Sequence, residues 1–192
     1  MSHEHNGTQL VVPLSKQDHI QGNPKAAVVL VEYGNYQCRH CGEIDRIIQQ
    51  IQQQLNVNTA ETKDERLCFV FRHFPNTQLH PRSQRAAEAA ETAAAQGLFW
   101  PMHHALFKHQ YALSDGCLVE YADQVGLNVS QFLQEMSSRV YTDRVRQDVE
   151  SGKRSGVTNV PTLFLNGDRY TAPWTFENLL TAILEAETFQ SL

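Results

Sequence analysis

The chain has 192 residues, 41% of them hydrophobic, with a formal net charge of −5 and a sequence pI near 6.0. That length fits one domain, or one domain carrying an insertion, with enough apolar residues for a sizeable core. The acidic balance argues against a nucleic-acid partner and against a polybasic membrane patch, and no apolar run approaches the ~18 residues of a membrane span.

Taken in order, residues 1–24 read as an N-terminal arm. Met1 to Gln9 carry neither the basic nor the apolar region of a secretory signal, so the expectation is a cytoplasmic protein, or a periplasmic one if a signal precedes the sequence given. Gly22-Asn23-Pro24 marks a turn. Ala26 to Tyr33 is a near-continuous apolar run, the pattern of a strand covered on both faces, interrupted by Glu32. A buried carboxylate is costly, so Glu32 is either a strand-end residue facing outward or an acid that relays a proton. Ile44, Ile47, Ile48, Ile51 and Leu55 follow helical spacing. Gln49, Gln50, Gln52, Gln53 and Gln54 form most of the other, solvated face. Asn56 to Asp64 is a polar connection, and Leu67 to Phe71 a second buried strand with Cys68 as a small hydrophobe. Helix between two apolar strands makes a βαβ unit.

Residues 81–155 read as helices only. Ser83 to Gln96 is alanine-rich, and Phe99 to His109 follows. Ser114 caps a helix ended by Gly126, with Cys117 in its core. Ser130 is another N-cap candidate, and Thr142 opens a helix closed by Gly156. His103, His104 and His109 lack the spacing that puts two ligands on one helix face, so no metal site is expected. The strand pattern returns at Val160 to Leu165. Asn166-Gly167 is a hairpin signal, Arg169 to Thr171 its partner strand, and Thr175 caps a last helix from Phe176 to Glu187. A proline at the entry of a central strand is normally excluded; a cis Val160–Pro161 bond would resolve that conflict.

The chemistry concentrates in Cys38-Arg39-His40-Cys41, two thiols three positions apart at the start of the first helix. Helix-terminal N–H groups have no intrahelical partner and carry partial positive charge. A thiolate there is favoured, and its pKa falls below the free value of about 8.5. Arg39 and His40 are placed to lower it further. Cys38, at the lip of the turn, is the expected thiolate, and Cys41 the resolving thiol. Stabilising that thiolate makes the disulfide a stronger oxidant than a C-G-P-C pair. A bare C-x-x-C also suits half a zinc site, but such a site needs a second pair, whereas Cys68 and Cys117 are single and far apart.

The βαβ half with C-x-x-C, the helical block, and a ββα half opened by a proline together resemble a thioredoxin-like fold with a helical insertion. In detail the chain resembles the DsbA-like thiol–disulfide oxidoreductases. The resemblance is carried by residues 31–38 (V-E-Y-G-N-Y-Q-C), 72–75 (R-H-F-P), 96–103 (Q-G-L-F-W-P-M-H) and 156–162 (G-V-T-N-V-P-T), with Asn166-Gly167. It implies a thioredoxin-like domain over 25–80 and 156–190 with a helical insertion over 81–155. It also implies that Cys38 attacks or forms the mixed disulfide, Cys41 resolves it, and His40 stabilises the thiolate. Glu32 matches the buried acid of the fold. Pro161 matches its cis-proline, which with Val160 would pair with an extended substrate, and Arg39 replaces the proline usual between the cysteine and the histidine. The implied activity is disulfide exchange with protein or peptide thiols and a recycling redox partner, without a cofactor beyond the Cys38–Cys41 pair and with glutathione as an alternative co-substrate. Two other readings stand beside it. One is a glutathione-dependent transferase or isomerase of a small molecule, the other a non-enzymatic peptide-binding module using the groove at Pro161.

Overall fold

A computed structural model describes residues 9–55 and 66–190; the polar connection expected at 56–64 lies outside them. In chain order the elements are β1 (His19–Gly22), β2 (Val28–Gly34), α1 (Arg39–Gln54), β3 (Leu67–His73) and α2 (Ser83–Ala95). There follow α3 (Phe99–Lys108), α4 (Asp115–Gln124), α5 (Val129–Ser138), α6 (Thr142–Arg154), β4 (Thr162–Leu165), β5 (Asp168–Arg169) and α7 (Phe176–Gln190). They form two compact units. One holds the described residues up to Tyr33, within Glu43–Arg72 and from Ser151 onward; the other holds Gly34–Gly42 and His73–Glu150. Among the described residues, no helix is long and apolar enough to cross a membrane.

The first unit is built on the sheet, in the order β1-β3-β2-β4-β5. β2 and β3 run parallel: the Val28 N–H donates to Arg66 C=O at one end and the Phe74 N–H to Gly34 C=O at the other. A strand followed by a crossover helix and a parallel strand is what two apolar runs flanking an amphipathic helix produce. Val28, Leu30, Val31 and Tyr33 are all essentially inaccessible, as are Leu67 to Phe71 in β3. Ile44, Ile48 and Ile51 of α1 and Leu55 just after it are buried. The glutamine face is less uniform than expected. Gln52 is also buried and donates to Gln21 Oε1 at 2.9 Å, because the apolar stripe of α1 is wide enough to draw an adjacent polar position under cover.

The hairpin signal is borne out. Asn166 (φ 48°) and Gly167 (φ 92°) both take positive φ between β4 and β5, as a two-residue turn matched to strand twist requires. The Asn166 side-chain oxygen accepts the Val29 N–H at 2.7 Å, tying the turn to β2. β5 itself is shorter than expected, ending at Arg169.

The arm expected over residues 1–24 is corrected in part. His19–Gly22 form an edge strand, antiparallel to β3. Further upstream, Gln9 bridges Asp168 and the Leu10 N–H donates to Gly167 C=O. The segment thus lines both edges of the sheet, and the reason is physical: an open edge leaves a row of unpaired backbone groups. Arg72 pins it there. The buried guanidinium donates to both carboxylate oxygens of Asp18 (2.7 and 3.0 Å), to Val12 C=O and Pro13 C=O (3.0 Å each) and to the Tyr33 hydroxyl (2.9 Å). All five of its N–H donors are thereby used. Tyr33 Oη in turn lies 2.9 Å from Ser151 Oγ.

The second unit is helical. Its organising group is Glu88 on α2, a buried carboxylate that accepts from Gln84, Arg85, Arg139 and Thr142 at 2.8–3.1 Å. Burial raises its pKa, but the hydrogen bonds from Gln84, Arg139 and Thr142 outweigh that and hold it below the usual carboxylate range. Ser114 caps α4 as expected. The cap of α5 is Asn128 rather than Ser130: Asn128 is extended, and its side chain accepts the Gln131 N–H at 3.0 Å. Asparagine serves at this position as well as serine, and backbone geometry puts the cap two residues earlier than expected. Cys117 is half-buried rather than core, with Ser114 Oγ at 3.1 Å from its sulfur.

Removing one partner of a buried ion pair strands the other charge. Asp18→Asn is therefore expected to cost about 3–5 kcal/mol, read as a lower denaturant midpoint with unchanged slope.

Candidate active site

The turn that presents the cysteines is built by its own side chains. Asn35 is buried; its side-chain oxygen accepts the Gln37 N–H at 2.9 Å and its C=O accepts the Cys38 N–H at 3.0 Å. This is the local turn that asparagine side chains favour. The Asn35 amide also reaches His80 Nδ1 (3.0 Å), and Gln37 Oε1 accepts the Arg82 N–H (2.8 Å). Tyr36 is buried against Phe107, His103 and His73, with ring centroids 4.8, 5.5 and 5.8 Å away, and its hydroxyl lies 3.1 Å from His103 Nδ1. Beneath it, His73 Nε2 is 2.9 Å from Glu91 Oε1 and the His73 N–H donates to Asp148.

Cys38 stands at the N-cap of α1. Its C=O accepts the Gly42 N–H at 3.2 Å, the first hydrogen bond of the helix. A residue in that place normally offers a side-chain oxygen to the N–H groups two and three positions on. Here the cap is sulfur, and the donors are the backbone N–H groups of His40 and Cys41 together with the Cys41 thiol. The pair is in its dithiol form. Cys38 is only 7% exposed and Cys41 fully buried. The Cys38 thiol is pulled down from 9.0 to about 6, first by the hydrogen bond from the Cys41 side chain. Burial opposes this. The two backbone N–H groups and, least, the charge of His40 add to it.

Cys41, expected only as the resolving thiol, is the main stabiliser of the Cys38 anion. His40 acts chiefly through its backbone. The side chains of Arg39 and His40 are both exposed, where water screens a charge more than it does donors in direct contact. Glu32, Val160 and Pro161 belong to the sheet unit. Glu32 is completely buried in β2, opposite Leu163 of β4, and is not the outward-facing strand-end residue. The Val160–Pro161 bond is cis and immediately precedes Thr162, which pairs with Tyr33.

Sequence reasoning missed Asn35, Gln37 and Gln110. The first two carried a readable signal, since asparagine two residues before a polar residue favours a side-chain turn. Gln110 carried none. It lies in the turn after α3, is buried, and donates from its amide to Tyr36 C=O (3.1 Å) and Cys38 C=O (2.9 Å).

Hydrogen bonds to a charged group contribute about 1.5–3 kcal/mol. Cys41→Ala is thus expected to raise the Cys38 titration midpoint by about 1–2 units, followed as the pH dependence of alkylation rate. Cys41→Ser, which restores a donor, should recover most of the shift.

A family model described as Thioredoxin matches residues 14–185. Among solved structures, the chain resembles oxidised BdbD from Bacillus subtilis, with a TM-score of 0.81 at 19% identity, covering 94% of this chain and 98% of that one. It also resembles α-DsbA1 from Wolbachia pipientis, with a TM-score of 0.77 at 21% identity, covering 94% and 96%. Among curated proteins, the Na(+)/H(+) antiporter NhaA 3 of Salinispora tropica is 36% identical over 178 residues, which are 92% of this chain but 26% of that protein. The chain thus spans about a quarter of the length of the curated relatives it matches. A family match over this extent, on a sheet-and-helix framework that presents C-x-x-C at the start of α1, means that the chain belongs to the thioredoxin family.

Proposed function

We propose that this chain is a protein thiol–disulfide oxidoreductase working through Cys38 and Cys41. The observation that carries the reading is the Cys38–Cys41 pair at the start of α1, where Cys38 caps the helix and its thiol is pulled down to about 6. In the oxidising direction a substrate thiolate attacks Cys38 Sγ of the Cys38–Cys41 disulfide. The S–S bond breaks, and Cys41 leaves as a thiolate that takes up a proton. The second substrate thiolate then attacks the substrate sulfur of the mixed disulfide and expels Cys38 as a thiolate. The substrate loses two electrons and the protein gains them; a recycling partner of opposite poise restores the disulfide. Run backwards, the same steps reduce or isomerise.

Cys38, Cys41, the backbone of His40 and the Gly42 end of the turn perform the exchange in this reading. Val160 and cis-Pro161 would pair with the substrate backbone, and Arg39 and His40 would face it. Glu32, buried in β2, would accept or return the proton of the resolving thiol. No cofactor beyond the cysteine pair enters. The compartment sets the direction of flux through its redox poise: a cytoplasm drives the pair toward reduction, a periplasm toward oxidation. The antiport named for the curated relatives is not carried over to a chain a quarter of their length. A full cysteine pair weighs against glutathione transfer to a small molecule, and a Cys38 anion against a binding module without chemistry.

At pH 7 a thiol of pKa about 6 is about 90% ionised and one of 9.0 about 1%. The reduced form is thereby favoured about tenfold, or about 30 mV for a two-electron couple. The lowered pKa adds stability to the reduced fold that is complete above 9.0 and lost as pH falls through about 6. The gap in denaturant midpoint between reduced and oxidised protein should accordingly shift in favour of the reduced form as pH rises from 5 to 9.

The decisive test is refolding of a reduced, disulfide-dependent protein in a glutathione buffer. Wild type should accelerate it, Cys38→Ser should abolish the effect, and Cys41→Ser should accumulate a mixed disulfide at Cys38. Full activity in Cys38→Ser would overturn the reading, as would tight glutathione binding with conjugation of small electrophiles and no disulfide exchange.

A further inference from the structure

We propose that Gln110 is a positioning residue for the reactive turn, holding the Cys38 backbone where its sulfur meets the donors that stabilise it. The proposal rests on the disulfide-exchange reading above and deepens it. Gln110 lies 72 residues from Cys38 in sequence, yet its side-chain amide donates to two carbonyls of the turn, Tyr36 at 3.1 Å and Cys38 at 2.9 Å. A primary amide has two N–H donors, so both are committed to this segment. The bonds are buried, and a buried carbonyl deprived of its donor costs about 1–3 kcal/mol; the turn is therefore not free to drift from the amide.

Geometry gives the clamp its leverage. The Cys38 C=O accepts the Gly42 N–H and the Gln110 amide together, which fixes the peptide plane that leads into the first turn of α1. The sulfur branches from the same residue, and the N–H groups it meets belong to the next peptides along. A rotation of the Cys38 peptide would move the sulfur relative to those donors. Gln110 is uncharged, so its influence on ionisation travels through position and not through field.

Gly42 carries an independent mark of the same device. Glycine inside a helix is unfavourable by about 1 kcal/mol relative to alanine, and at this position a Cβ would stand 2.4 Å from Gln110 Oε1 and 2.9 Å from its Cδ. A side chain at position 42 would thus displace the amide from its place. Gln110 is itself anchored. His109 stacks on Tyr121 of α4 (4.9 Å, 17°), the Ala112 N–H donates to His109 C=O (2.8 Å), and the Tyr121 hydroxyl donates to Ala112 C=O (2.8 Å). The clamp is set by α4 and the turn after α3.

The test compares Gln110→Met, which keeps the length and loses both donors, and Gln110→Glu, which can only accept when ionised, with Tyr111→Ala, an exposed neighbour outside the device. The readouts are the pH midpoint of Cys38 alkylation and the equilibrium with glutathione. Both Gln110 variants should raise the midpoint by at least about half a unit, with alkylation at pH 6 slowed about twofold or more and the reduced form correspondingly less favoured. Tyr111→Ala should leave both values at wild type. If Gln110→Met does not fold, Gly42→Ala, which expels the amide, decides on the same terms. A wild-type midpoint near 9 would overturn the oxidoreductase reading itself. A wild-type midpoint near 6 that Gln110→Met or Gly42→Ala leaves unmoved would overturn this inference alone.

Discussion

The proposed chemistry depends on one interaction: the Cys38 sulfur capping the start of α1. An N-cap side chain ordinarily closes a helix by accepting N–H groups that have no other partner. With sulfur in that role, the stability of the helix start and the reactivity of the thiol become the same interaction. Each donor that closes the helix also favours the thiolate, and oxidation to a disulfide removes the acceptor. A redox change at Cys38 is consequently a capping change in α1. This links the electron pair to folded-state stability without any moving part.

Around that sulfur the chain uses buried polar groups as fasteners. Arg72 spends every donor it has on Asp18, Tyr33 and two carbonyls of the N-terminal segment. Glu88 gathers four donors from α2, the end of α5 and the start of α6. Such groups are expensive to bury and costly to unpair. Their value lies in specificity, since a slipped arrangement of the same elements would leave a buried charge exposed to no partner. In each case the carboxylate and its cation lie on different segments of one unit.

Much of the fold was legible. Strongly periodic or continuously apolar segments, α1, β2, β3, α2 and the β4–β5 turn, were readable because one local pattern sufficed to specify each. At the start of α5 the sequence pointed to Ser130, and the backbone placed the cap at Asn128 instead. The N-terminal segment was read as an arm because its role is to cover sheet edges, a need that exists only once the sheet does. Cys117, expected in the core near the start of its helix, is half-buried instead.

The sequence by itself determined the place of the Cys38–Cys41 pair between a strand and an amphipathic helix, and the proline before the last central strand. Those are properties of neighbouring residues, and neighbours determine turns, caps and periodicity. Only the tertiary structure decided which groups stabilise the thiolate. The side chains nearest in sequence, Arg39 and His40, are exposed, while Cys41 and two backbone N–H groups contribute ahead of the charge of His40. It also decided that Gln110, distant in the chain, seats the turn. Hydrogen bonds act over a few ångströms of space, and separation along the chain does not record that distance.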